Sequence, residues 1–154
     1  MKAHSNNHVL VISTGGTIAC TADERGALVP TLTAAELVEQ SASPVPVRTI
    51  DATSLDSSSI GLAELDSLRT LVAQSLIDDS VTAIVITHGT DSMAETALAL
   101  DLVYADPRPV VLTGAMRAAD DPNPDGPENL RGAIDLAATG QELGVVIHFA
   151  GETY

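Results

Sequence analysis

The chain is short of several residue types, and each shortage removes a class of protein. It has one cysteine, Cys20, in 154 residues. No internal disulfide can form, and a reducing, cytoplasmic setting is expected. Aromatics make up 2% with no tryptophan, so the core has to be built from Ala, Val, Leu and Ile. Basic residues number 7 against 21 acidic ones, for a formal net charge of −14. That balance argues against nucleic-acid binding, which needs a basic footprint, and against an anionic membrane surface. Lys2 is the only lysine; the other basic residues are arginines. No stretch reaches the roughly 20 apolar residues of a membrane span, and Val9 to Ile12 is shorter than a signal-peptide core of about 7–15 residues. His4, His8, His88 and His148 show no ligand spacing and only one cysteine could assist them, so neither a metal nor a cofactor is expected.

What is present is a packed α/β pattern. Hydrophobic residues make up 45%, and residues 1–154 suit one domain with a sizeable core. "HVLVIS" (8–13) reads as a buried strand ended by Gly15-Gly16. Residues 20–32 read as loop. Thr33 and Glu36 have the spacing of a capping box, so "TAAELVEQ" (33–40) reads as a short helix. "VPVRTI" (45–50) reads as a strand and the Ser-rich "DATSLDSSSIG" (51–61) as loop. Leu62, Leu65, Leu68, Val72 and Leu76 lay one apolar stripe along a helix. "VTAIVITH" (81–88) and "PVVLTG" (109–114) are near-continuously apolar, as parallel strands buried on both faces are. Residues 92–105 read as a helix, 117–127 as a Pro-rich loop, 127 to about 138 as a helix capped by Asp125, and "GVVIHF" (144–149) as a last strand, with His148 a packed residue. Strands alternating with helices predict a mostly parallel sheet with right-handed crossovers.

Ligands of such sheets bind where the strands' carboxyl ends meet loops and helix N-termini. "STGGT" (13–17), "HGTD" (88–91) and "TGAMR" (113–117) each follow a strand, and "LDSSS" (55–59) can reach the same crevice. Ser92 and Glu95 form an S-x-x-E capping box, which starts the helix just after Ser92. Thr90 and Asp91 then sit at its mouth, with Asp91 either a second cap or a ligand contact. "TGGT" is a tight turn by itself; it matches neither G-x-G-x-x-G nor the P-loop pattern, and G-x-S-x-G is absent.

Taken together, "TGGTIA" (14–19), "DSSS" (56–59), "HGTDSMAETA" (88–97), "PVVLTGAMR" (109–117) and "DGPENL" (125–130) resemble the bacterial L-asparaginase family, in order and at family-like spacing. The resemblance covers nearly all of the chain but about the first half of a family member. It implies a flavodoxin-like α/β domain with helices on both faces of the sheet, and hydrolysis of L-asparagine, or L-glutamine, to the acid and ammonia. By resemblance, Thr17 matches the threonine nucleophile. Thr90 and Asp91 match a second catalytic group completed by a lysine, and Asp91 also grips the substrate's α-amino group. Ser57 and Ser58 match positions that hold the α-carboxylate and neighbouring groups, and Ala115 a backbone contact near the scissile amide. A threonine hydroxyl needs a neighbouring base or charge network, and its tetrahedral intermediate needs fixed donors. Backbone amides near Gly16, Thr17, Thr90 and Ala115 are the candidates.

Three departures from the family pattern shape the expectations. The family's lysine lies beyond "FAGETY", and Lys2, ahead of the first strand, is not its counterpart. The loop "CTADERGALVP" lacks the tyrosine that many members carry there. The family's C-terminal domain, which completes a neighbouring subunit's site in a homo-oligomer, is absent. The 154-residue form is therefore expected to be nearly inactive, and a catalytically incomplete module that binds an amino acid or only self-associates is the alternative. A third reading, the amidotransferase component acting with glutamyl-tRNA, is weighed down by the acidic composition and by the lack of an extension before Val9. The central expectation is that hydroxyls 17 and 90 and carboxylate 91 converge on one crevice.

Overall fold

Runs of β-branched residues form the strands here, and the segments of helical period form the helices packed on them. The computed structural model describes residues 6–154; Lys2 and His4 lie outside the described residues. In chain order the elements are β1 (His8–Gly15), β2 (Cys20–Ala22), β3 (Leu28–Pro30), α1 (Ala34–Ser41), β4 (Val47–Leu55), α2 (Leu62–Ser75), β5 (Val81–Thr87), α3 (Met93–Asp101), β6 (Val110–Thr113), α4 (Gly126–Ala137), β7 (Val145–Phe149) and β8 (Glu152–Thr153). The main sheet has the order β4-β1-β5-β6-β7-β8. Its first five members run parallel, and β8 pairs antiparallel with β7. Strands β2 and β3 form a separate antiparallel hairpin. The parallel strands have the flavodoxin-like 2-1-3-4-5 order, with its switch point between β1 and β5.

Alternation divides the core into two halves. Val9, Val11, Ala83, Val85 and Val111 face α1 and α4, where they meet Leu37, Leu130, Ala133 and Ile134. Leu10, Ile12, Ile84, Ile86 and Leu112 face α2 and α3, where they meet Leu68, Val72, Met93 and Leu100. Ile12, Ile84, Ile86 and Leu112 are all 0% exposed; each contributes roughly 1.5–3 kcal/mol through burial. With aliphatic residues on both faces, these strands carry no polar–apolar alternation.

Five expectations about local structure are corrected. The segment 20–32 is a hairpin and not a loop: Asp23 Oδ1 accepts the N–H groups of Arg25 and Ala27 at 2.8 and 2.9 Å, and Gly26 takes φ 79°. Polar residues 51–55 extend β4 along β1 instead of starting a loop, because Ser13 and Asp51 remain in register. Leu62 is 86% exposed and does not belong to the buried stripe of α2, whose buried members are Leu68 and Val72. Ser92 does not cap α3. A short 3-10 turn, Thr90–Ser92, precedes the helix, and the Ser92 hydroxyl donates to Ser57 O at 2.7 Å. Asp125 precedes α4 but makes no side-chain cap; its carboxylate accepts Met116 N–H and Arg117 N–H at 3.0 and 2.8 Å. The box of Thr33 and Glu36 on α1 forms as expected.

Candidate active site

The parallel strands place "STGGT", "HGTD" and "TGAMR" on the same edge of the sheet, as extensions of β1, β5 and β6. The first turn depends on glycine. Gly15 and Gly16 take φ 102° and 81°, and Gly16 at ψ 174° lies where only glycine is comfortable. Gly16 also needs to be small. A Cβ there would stand 2.5 Å from Gly89 N and 2.6 Å from Gly89 Cα. The backbones of "TGGT" and "HGTD" are thus in van der Waals contact.

Several bonds hold this junction. The Thr14 hydroxyl donates to Thr87 O at 2.9 Å and the Thr53 hydroxyl donates to Thr14 O at 3.0 Å, tying the ends of β4, β1 and β5 together. Asp91 N–H donates to Ser57 Oγ at 3.2 Å. A Cβ on Gly89 would run into Ser57 Oγ. His88 N–H donates to Thr113 O at 2.8 Å, locking the corner to β6.

The junction opens on a cavity of about 280 Å³ lined by Gly16, Thr17, Cys20, Leu28, Pro30, Ser54, Asp56 and Asp91. Thr17 and Asp91, from two different strand ends, share its wall. Two carboxylates and no cation line it among the described residues, which suits a ligand carrying an ammonium group. Burial, with a smaller push from the Asp56 charge, raises the Cys20 thiol above its usual range. Cys20 is therefore a neutral thiol at physiological pH, and its S–H donates to Gly16 O at 3.3 Å. A larger cavity of about 560 Å³ lies between α4 and the end of β7 and is lined in part by Met116 and Arg117 of the "TGAMR" loop.

A family model described as asparaginase, N-terminal, matches residues 8–154. The chain belongs to the asparaginase family. It is 38% identical to a glutaminase-asparaginase of Acinetobacter glutaminasificans, over 88% of this chain and 43% of that protein. It is 41% identical to a component of the glutamyl-tRNA(Gln) amidotransferase of Methanopyrus kandleri, over 92% of this chain and 32% of that protein. The fold superposes on the thermostable L-asparaginase from Thermococcus kodakarensis with a TM-score of 0.84 at 34% identity, covering 94% of this chain and 44% of that one. The chain spans less than half the length of these relatives. No helix among the described residues is long and apolar enough to cross a membrane.

The asparaginase-like segments meet to different degrees. Gly16, Thr17 and Asp91 reach the cavity wall. Thr90 is exposed beside Asp91 and does not itself line the cavity. Ser57 is 3% exposed and lies beneath the corner as a brace, whereas Ser58 is exposed and its N–H donates to Asp56 Oδ1. Ala115 is buried at 1% with its methyl in the core beside Gly126.

Other contributors escape a reading of the sequence. The β2–β3 hairpin carries Cys20, Leu28 and Pro30 to the cavity; its signal is the "DERG" turn between two short segments. Asn129 joins two loops: Nδ2 donates to Gly114 O at 2.9 Å, and Oδ1 accepts Ala150 N–H at 3.1 Å. Asp125 holds the "TGAMR" loop, and those backbone donors, aided by the Arg117 charge, keep its carboxyl below the usual carboxylate range although burial opposes them.

Proposed function

We propose that the chain is the N-terminal part of an asparaginase-type amidohydrolase, converting L-asparagine and water to L-aspartate and ammonia, with L-glutamine as the other candidate substrate. The observation that carries this reading is the common cavity of Thr17 and Asp91. In it, Asp91 pairs with the substrate's ammonium group, and the Thr17 hydroxyl attacks the side-chain amide carbon. Backbone N–H groups at the strand ends stabilise the oxyanion. The proton leaving Thr17 passes to the amide nitrogen, ammonia departs, and water hydrolyses the acyl-threonine ester, restoring the hydroxyl. Thr90, next to Asp91, assists it; Ser58 and the backbones of Ser57 and Ala115 complete the contacts to substrate. We place the protein in the cytoplasm, where Cys20 stays a free thiol, and as a homo-oligomer when it acts.

The test has two arms. Calorimetric titration with L-aspartate should show binding that Asp91→Asn abolishes, and whatever slow ammonia release the chain gives from L-asparagine should vanish in Thr17→Ala. Binding unaffected by Asp91→Asn contradicts the site, and binding without turnover leaves the module that only holds an amino acid. The likeness to the amidotransferase component supports a second reading, in which the ammonia serves glutamyl-tRNA amidation; the net charge of −14 opposes direct contact with tRNA, and a gel shift with tRNA decides it.

A further inference from the structure

His88 is a large polar side chain sealed into the junction. It is 0% exposed, and both ring nitrogens are engaged. Nδ1 lies 2.7 Å from Gly89 O and Nε2 lies 3.0 Å from Thr96 Oγ1 on α3. A carbonyl oxygen can only accept, so Nδ1 carries the proton. Nε2 is then the acceptor, and the Thr96 hydroxyl is its donor. Burial lowers the basicity of the ring, in keeping with a neutral imidazole. The two bonds fix one tautomer and one ring orientation.

That orientation sets the next peptide. The Gly89 carbonyl is turned inward onto the ring. A trans peptide carries its C=O and N–H on opposite sides, and cis bonds are absent among the described residues. The Thr90 N–H is therefore turned away from the buried ring, toward the exposed side of the corner where Thr90 and Asp91 lie.

We propose that His88 is a positioning residue: anchored by Thr96, it holds the Gly89 carbonyl inward and so presents the Thr90 N–H as a fixed donor to the bound amino acid. The proposal rests on the amidohydrolase reading for the identity of the ligand, but not for the geometry. Without the imidazole the Gly89 carbonyl keeps only the 3-10 turn to hold it, and the Gly89–Thr90 peptide flips more readily. A flipped peptide would turn a carbonyl oxygen toward the substrate, which repels a carboxylate or an oxyanion and lowers turnover through kcat more than through KM.

Two measurements test it separately. Long-range proton–nitrogen correlation on the His88 imidazole of the whole chain at neutral pH should show the Nδ1–H form alone. An Nε2–H form, or a mixture of the two, overturns the proposal, whatever the protein binds. Titration with L-aspartate then reads the Thr90 amide in the unsubstituted chain, in His88→Asn, which keeps an N–H near the place of Nδ1, and in His88→Leu, which keeps none. The Thr90 response should persist with asparagine and disappear with leucine, while the Gly16 amide responds in all three. Equal Thr90 responses in the three proteins overturn the proposal. If L-aspartate moves no amide of the unsubstituted chain, the amidohydrolase reading falls, and the imidazole tautomer alone decides the role of His88. Should His88→Leu fail to fold, the tautomer and the asparagine variant carry the test.

Discussion

Gly16→Ala separates two demands that meet at one residue. The first is conformational: φ 81° and ψ 174° suit glycine alone, and a side chain there costs about 1–3 kcal/mol. The second is steric. The new methyl would sit 2.5 Å from Gly89 N, against backbone that cannot rotate away, which adds about 1–3 kcal/mol. Together the loss is roughly 2–6 kcal/mol, a large part of a stability of about 5–15 kcal/mol. At about 2–4 °C per kcal/mol for a chain of this size, Tm falls by roughly 5–20 °C. Two further variants isolate the parts. Gly26 has φ 79° with nothing within 4 Å of its added Cβ, so Gly26→Ala costs strain alone, about 1–2 kcal/mol. Gly89 has φ −70°, so Gly89→Ala meets only the collision with Ser57, about 1–3 kcal/mol. Urea unfolding at constant m reads all three. Equal losses for Gly16→Ala and Gly26→Ala would refute the close approach of "TGGT" and "HGTD".

Three other outcomes are expected. His88 is held below its ordinary value of 6.5, first by burial, so the unfolded chain binds the extra proton more readily; stability is full above about pH 6.5 and falls on acidification, by up to about 1.4 kcal/mol per pH unit until the folded pKa is passed. Urea titrations between neutral pH and about pH 5, above the carboxylate range, should show that slope in the unsubstituted chain and not in His88→Asn. Asp125→Ala removes the acceptor of Met116 N–H and Arg117 N–H and should cost about 1.5–3 kcal/mol by chemical denaturation, with the larger amide shift changes confined to the "TGAMR" loop. Leu62→Ser, at an 86% exposed position, should alter stability by no more than about 0.5 kcal/mol, whereas Leu68→Ala, 7% exposed, should cost about 2–5 kcal/mol in the same assay.

The parallel strands were legible because near-complete burial leaves a plain signature: β1, β5 and β6 have continuous aliphatic centres, and the half-buried β7 is apolar but for His148. The flavodoxin-like order followed from the family resemblance, while alternation of strands and helices pointed only to the α/β class. Elements stabilised by a few hydrogen bonds were harder to read. The hairpin β2–β3 has three-residue strands with exposed Leu28 and Val29, so no apolar pattern marks it. Residues 51–55 continue β4 through pairing with β1, which their Ser- and Asp-rich composition conceals. The local rules also predicted Ser92 and Asp125 as caps. Each side chain instead takes a partner distant in sequence, Ser57 and the "TGAMR" loop, and such partners are visible only in three dimensions. The same applies to His88, whose role depends on Thr96 and on the direction of one carbonyl.

The central claim is that the ends of β1 and β5 form a single site for an amino acid. Amide chemical shifts of the whole chain, followed during titration with L-aspartate, test it most directly. The account predicts that Gly16 and Thr17 move together with Thr90 and Asp91, along curves that share one dissociation constant. Movement of one loop without the other, or two different constants, would contradict it.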